Sequence, residues 1–250
     1  MADQLITPLT AVIHGESGVG KSWLGDTAPS PKLVLDAEGG SLFTPSRKVR
    51  WNPQKEDPPK DDGTWDTCVV LTRDFKTLST VYQWLNSGKH SFKSVVLDSL
   101  TEIQARCKDS VSGTDTPSER DWGTLLIQME YLIRSYRDLT MHPTNPLQAV
   151  VFLALTMDKS GKWRPNLQGQ IAVKLPQYVH MVGFMYADRP GESEAEYAED
   201  GVVRRLLVTP LDNFVAKDRT HIISQTYGNT ITNPNITSMI ETLTNGVNRE

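Results

Sequence analysis

The chain has 250 residues, 38% of them apolar and 22% charged, which suffices for one full core and is ordinary for a globular protein. A formal net charge of −4 excludes polyanion binding through overall charge and leaves a local basic patch as the route to nucleic acid. Two cysteines, Cys68 and Cys107, exclude a disulfide framework, and five scattered histidines lack zinc-ligand spacing; no stretch nears the ~20 apolar residues of a membrane span, and Met1 to Gln4 is too polar for a signal peptide, so no membrane partner and a cytoplasmic location are expected.

Thr10 to His14 reads as a buried strand that runs straight into Gly15-Glu16-Ser17-Gly18-Val19-Gly20-Lys21-Ser22. This stretch fits G-x-x-x-x-G-K-[ST], the phosphate-cradling P-loop, in its required setting of strand before and helix after. Glycines let successive backbone N–H groups turn inward around an anion, and the first helical turn leaves unpaired N–H groups aimed at the same place. Lys21 is expected to reach the β- and γ-phosphates of ATP, and Ser22 to complete a Mg²⁺ shell. Trp23 follows directly and is counted with the nucleotide-binding residues.

The helix opened at Lys21 runs to Ala28, closed by Pro29 and Pro31. Lys32 to Leu35 is a short strand ending at Asp36-Ala37-Glu38-Gly39-Gly40. Residues 44–63, with four prolines and mixed charges, read as a mobile surface loop. Its bases Arg47, Lys48 and Arg50 beside Trp51 suit either solvent or a nucleic acid. Thr67 to Leu71 is a strand, and Asp74 caps a helix with Phe75, Leu78, Tyr82 and Leu85 at helical spacing, ending at Gly88. Ser94 to Asp98 is a near-continuous apolar run, as in a parallel strand covered on both faces. A helix from Ser99 through Ile103 and Cys107 gives way to a polar loop over 111–119.

Residues 122–141 form the longest amphipathic helix, with Trp122, Leu125, Met129, Leu132, Ile133 and Tyr136 on the core stripe. Gln148 to Leu155 is a strong strand, followed from Thr156 by a polar loop to Gln170. Val179 to Tyr186 and Val202 to Val208 read as strands joined across the acidic turn Asp188 to Asp200, an antiparallel hairpin. Asn233-Pro234 caps a last helix carrying Ile236, Met239, Ile240 and Leu243, stopped near Gly246, with 247–250 a frayed tail. The fold class is α/β: a mostly parallel central sheet flanked by helices with an antiparallel C-terminal extension, one domain over 1–250.

In such sheets a ligand sits beyond the carboxyl ends of the strands, so residues ending the apolar runs should converge on the P-loop. Asp98 has the form of the aspartate that holds Mg²⁺ opposite Ser22. Glu38 is placed to orient and deprotonate an attacking water, and Thr156 to hydrogen-bond the γ-phosphate.

Beyond these readings, Asp36-Ala37-Glu38 after an apolar strand resembles the catalytic-glutamate motif of the RecA recombinases. Val95-Val96-Leu97-Asp98-Ser99 resembles their metal-binding strand. Val215-Ala216-Lys217-Asp218-Arg219 is similar to the paired-cation motif with which a RecA subunit reaches its neighbour's ATP site. In overall shape the chain resembles the small phage-encoded RecA-like ATPases, which act in ATP-linked single-strand DNA annealing and recombination. The resemblance implies that role in the host cytoplasm, a homo-oligomer (ring or filament) with ATP sites between subunits, and action of Lys217 and Arg219 in trans. It also implies a phage single-strand-binding or replication protein as a further partner. The segment Met157 to Pro165 stands where that family has its main DNA-binding loop. There Lys159, Lys162 and Arg164 would meet phosphates and Trp163 a base, or the segment is simply a hairpin turn. The loop Lys108 to Arg120 would be a second, weakly basic DNA-facing segment.

The departures are specific: fourteen residues precede Gly15 where the recombinases carry a docking helix and strand, and Thr156 stands where they carry a glutamine. These departures weaken the expectation of filament formation and strand exchange and leave that of ATP binding intact. Two other readings use the same P-loop. One is a nucleotide-gated loader or scaffold that hydrolyses slowly. The other is a small-molecule kinase, which would need an arginine-bearing lid drawn from Arg134, Arg137, Arg204 and Arg205.

Overall fold

The computed structural model describes residues 6–191, 201–211 and 213–247. Met1 to Gln4, residues 192–200 of the acidic turn and residues 248–250 of the tail lie outside the described residues. In chain order the elements are β1 (Leu9–Gly15), α1 (Lys21–Asp26), β2 (Lys32–Asp36), β3 (Lys48–Arg50), β4 (Thr67–Leu71), α2 (Phe75–Leu85), β5 (Ser94–Asp98), α3 (Leu100–Ser112) and α4 (Glu119–Asp138). They continue with β6 (Ala149–Lys159), β7 (Lys162–Pro165), α5 (Ile171–Tyr178), β8 (Met181–Asp188), β9 (Val203–Leu207), β10 (Lys217–Asp218), α6 (Ile222–Tyr227), β11 (Thr230–Thr232) and α7 (Ile236–Val247).

The strands form a single sheet in the order β11-β9-β8-β1-β6-β5-β2-β4-β3, with β10 pairing β8 and β7 pairing β6. From β8 to β3 every neighbouring pair is parallel, while β9, β10 and β11 add antiparallel at the other edge. The side chains of the central strands divide by the two-residue period. Val12, Leu33, Leu35, Val95, Leu97, Val150 and Phe152 join a core packed by α2, α3, α4 and α5. Ile13, Val34, Val96, Val151 and Leu153 face the opposite way, into a core closed by α1, α6 and α7. Helices on both faces explain why these strands read as unbroken apolar runs.

Such runs leave the register open, because either face is apolar; the pairing settles it. Gly15 lies opposite both Leu155 and Met185, and Asp36 lies opposite Asp98. The P-loop and both aspartates therefore emerge at one rim.

Several expectations need correction. The stretch 44–63 contains strand β3 and is anchored: the Ser46 hydroxyl donates to Asp26 Oδ1 at 2.6 Å, and Arg47 pairs with Asp66 at 2.9 Å. Trp51 is buried and donates its indole N–H to Glu56 O at 3.1 Å, so it offers no stacking face. Helix α3 runs through Ser112, into the stretch read as a DNA-facing loop. Helix α4 starts a turn early, at Glu119, with a capping box between Ser118 and Asp121; its first turn is polar, so the apolar period begins later than the helix. Trp122 is exposed rather than core. Helix α5, with Pro176 inside its eight residues, fills residues 171–178, to which the sequence reading assigns no element. The last helix is capped by Asn235, whose Oδ1 accepts from Ser238 N at 3.1 Å, rather than by Asn233.

Candidate active site

Strand β1 delivers the chain to the sheet's carboxyl rim, where Gly18 and Gly20 take φ values of 81° and 98° and turn the loop into α1. Only glycine adopts such values cheaply, which is why the spacing of the motif is rigid. Beside the loop lies a cleft of about 390 Å³. Ser17, Gly18, Gly20, Lys21, Ser22 and Trp23 form one wall; Glu38, Gly40, Asp98 and Ser99 form the other, with Leu155 and Arg204 completing it. Trp23 stands 46% exposed at this wall. Gly15 does not reach the cleft lining, and Glu16 and Val19 line a neighbouring cavity of about 460 Å³ with Trp163, Phe184 and Phe214.

The Ser22 hydroxyl donates to Asp98 Oδ2 at 2.6 Å. Burial, reinforced by Asp36 and Glu38, pushes the Asp98 carboxyl up to about 6 against the opposing pull of Ser22 and Lys21. A hydroxyl and a hard carboxylate held together, with the carboxylate short of compensating positive charge, fit a Mg²⁺ shell shared with phosphates. The Lys21 ammonium is buried and donates to Gly15 O (3.0 Å) and Glu16 O (2.6 Å) of its own loop. Burial lowers its pKa, while Asp98, Glu38 and Glu16 hold it up.

Glu38 is exposed, and its Oε1 accepts from the Ser99 hydroxyl. Its position is set by Asp36, which sequence reasoning left without a role. One Asp36 oxygen accepts from the backbone N–H groups of Glu38 (3.1 Å) and Gly39 (2.6 Å), and the other from Ser41 N (3.1 Å). The turn needs its glycines because it crosses the metal-side residues closely: a Cβ on Gly40 would fall 3.1 Å from Ser22 Oγ.

Thr156 departs from expectation. Its hydroxyl lies 3.0 Å from His14 Nδ1 and 3.2 Å from Arg164 O, turned away from the cleft, which Leu155 reaches instead. His14 is fully buried, and its Nε2 is 2.8 Å from Val215 O. A carbonyl only accepts, so Nε2 carries the proton and Nδ1 accepts from Thr156. Burial foremost, with Lys21 nearby, lowers the His14 pKa to about 4 despite the Val215 bond.

Lys159 and Lys162 face each other, exposed, at the tip of a β6–β7 hairpin whose turn residues Ser160 and Gly161 both have positive φ. The segment read as a polar loop is thus an extension of the strand. Trp163 and Arg164 are half-buried on β7, and Trp163 is tied by its backbone to Asn213 O (2.7 Å) and Val215 N (2.9 Å). Lys217 and Arg219 are not brought to the cleft of their own chain. Lys217 pairs with Val182, level with Val12 of β1, three residues or roughly 10 Å along the strand from Gly15. Its ammonium donates to Pro176 O (2.7 Å) and Val179 O (2.9 Å), and Arg219 donates to Gln177 O at 3.0 Å. Among the described residues no helix is long and apolar enough to cross a membrane.

A family model described as an AAA domain matches residues 7–220. Among solved structures, one described as a prototypical ATPase from the type III secretion system of pathogenic bacteria is similar at 15% identity with a TM-score of 0.46. That match covers 87% of this chain and 61% of the other. No curated protein matches the chain.

Proposed function

The chain belongs to the AAA-domain family, and from that premise we propose that it hydrolyses ATP at the cleft and works as a RecA-like phage recombination protein, binding single-stranded DNA and promoting annealing or pairing. One juxtaposition carries the reading: Ser22 bonded to Asp98 at 2.6 Å, with Lys21 and Glu38 lining the same cleft. On binding, the Lys21 ammonium exchanges two loop carbonyls for phosphate oxygens, while the backbone N–H groups of the loop cradle the β-phosphate. Ser22 and Asp98 would hold Mg²⁺, which supplies charge neutralisation at the phosphates when bound. Glu38, at the cleft edge and steadied by Ser99, accepts the proton of the attacking water.

Support for a DNA role is the exposed lysine pair at the tip of the hairpin, whose first strand β6 carries the cleft residue Leu155. The His14–Thr156 bond ties the start of that hairpin to the strand leading into the P-loop. Lys217 and Arg219, remote from their own cleft, would act on the site of an adjacent subunit, stabilising charge as it develops on the γ-phosphate.

ATP binding and steady-state turnover of the wild type and Glu38→Gln test the hydrolytic assignment. The variant is expected to bind ATP like the wild type and to turn it over at least ~100-fold more slowly. Equal turnover would remove Glu38 from the mechanism.

A further inference from the structure

Strand β9 carries two consecutive arginines in unlike surroundings. Arg205 is engaged: its Nε lies 3.3 Å from Asp188 Oδ2, and its Nη1 donates to Thr232 Oγ1 at 3.0 Å. Arg204 points to the opposite face of the strand, by the two-residue alternation, and there it reaches the wall of the phosphate cleft. Its side chain lies against the P-loop so closely that a Cβ on Gly20 would fall 2.7 Å from its Nε and 2.9 Å from its Cδ. That Nε is buried with no hydrogen-bond partner, and no carboxylate among the described residues pairs with the guanidinium.

A buried guanidinium N–H without an acceptor is costly; Arg106 Nε and Arg164 Nε share that state, but of the three only Arg204 lines the phosphate cleft, where a ligand can supply the acceptor. The fixed charges at the cleft point the same way. Apart from Arg204, the charged side chains lining the cleft are Lys21, Asp98 and Glu38, one negative charge in excess before any Mg²⁺, so a further cation favours a polyphosphate there. The backbone of Arg204 is held on both sides: it pairs with Ala187 of β8, and Asn233 N donates to its carbonyl at 2.7 Å. The guanidinium is therefore presented from a rigid strand, and its planar fork suits two phosphate oxygens.

We propose that Arg204 is a phosphate-binding residue supplied in cis, donating hydrogen bonds to the phosphate chain of a nucleoside di- or triphosphate seated on the P-loop. The assignment rests on the nucleotide-binding reading of the cleft. It differs from the proposed trans action of Lys217 and Arg219, because Arg204 acts within one chain and on the ground-state ligand.

The test is calorimetric titration of ADP and of ATP into the wild type, Arg204→Ala, Arg204→Lys, Arg205→Ala and Lys21→Ala, with thermal unfolding of each protein without nucleotide. Arg204→Ala is expected to weaken ADP and ATP alike by roughly 10- to 100-fold, as for loss of charge-assisted hydrogen bonds. Arg204→Lys should recover part of that loss, and Arg205→Ala should bind within about twofold of the wild type. Without nucleotide, Arg204→Ala should melt no lower than the wild type, since it removes an unpartnered buried group. Wild-type affinity in Arg204→Ala beside lost affinity in Lys21→Ala would overturn the proposal and leave nucleotide binding standing. A wild type that binds neither nucleotide would overturn both.

Discussion

Asp98 and His14 flank the P-loop with opposite electrostatic habits: burial makes the carboxylate hard to ionise and the imidazole hard to protonate. For His14 the folded-state value near 4 lies below the ordinary 6.5, so the unfolded chain takes up its proton first. Stability from this group is complete above pH 6.5 and is lost as pH falls towards 4. A difference of ~2.5 units corresponds to about 3 kcal/mol. Denaturant unfolding of the wild type and His14→Gln across that range should show the wild type losing about that much relative to the variant. The rise of Asp98, which favours the folded state as pH falls, is common to both proteins and cancels. Parallel pH slopes would contradict the account. Lys21, Ser22, Asp98 and Glu38 were legible in the sequence because a motif or a strand end fixes each of them locally. Asp36, Arg204 and the true aim of Thr156 were not, since each depends on which face of a strand meets which neighbour.

The β6–β7 hairpin shows the same limit at the scale of elements. Its composition marked a polar connection, yet β6 continues four residues past Leu155 before turning at Ser160-Gly161. The turn places Lys159 and Lys162 directly opposite each other, doubling the charge at one exposed tip. If both meet DNA phosphates, Lys159→Ala/Lys162→Ala should flatten the dependence of log affinity on log salt by about 1.4, at ~0.7 for each contact to a single strand. Filter binding or anisotropy against salt reads this directly; an unchanged slope would move the interface elsewhere. Helix α2 was legible because its apolar period and its Asp74 cap agree, β1 and β5 as unbroken apolar runs, and α4 in its core stripe though not at its polar first turn. The short ones, β3, α5, α6, β10 and β11, offer too few residues for a period to show, and tertiary pairing alone defines them.

For the whole molecule, the register that sets Gly15 against Leu155 and Asp36 against Asp98 makes one rim of the sheet the working face. The nucleotide cleft lies on that rim, and the basic hairpin projects beyond it from the shared strand β6. The layered α/β architecture with antiparallel C-terminal strands was legible from alternating strand and helix patterns, whereas the order of the strands was not, because apolar runs covered on both faces resemble one another. On the proposed reading, the link from cleft to hairpin through β6 and the His14–Thr156 bond would couple nucleotide turnover to DNA held at the hairpin. The most direct test is steady-state ATP turnover by the full chain at low salt, with and without a single-stranded oligonucleotide. The account predicts that the oligonucleotide raises the rate and that added salt abolishes the increase. A rate indifferent to the oligonucleotide at saturating concentration would contradict it.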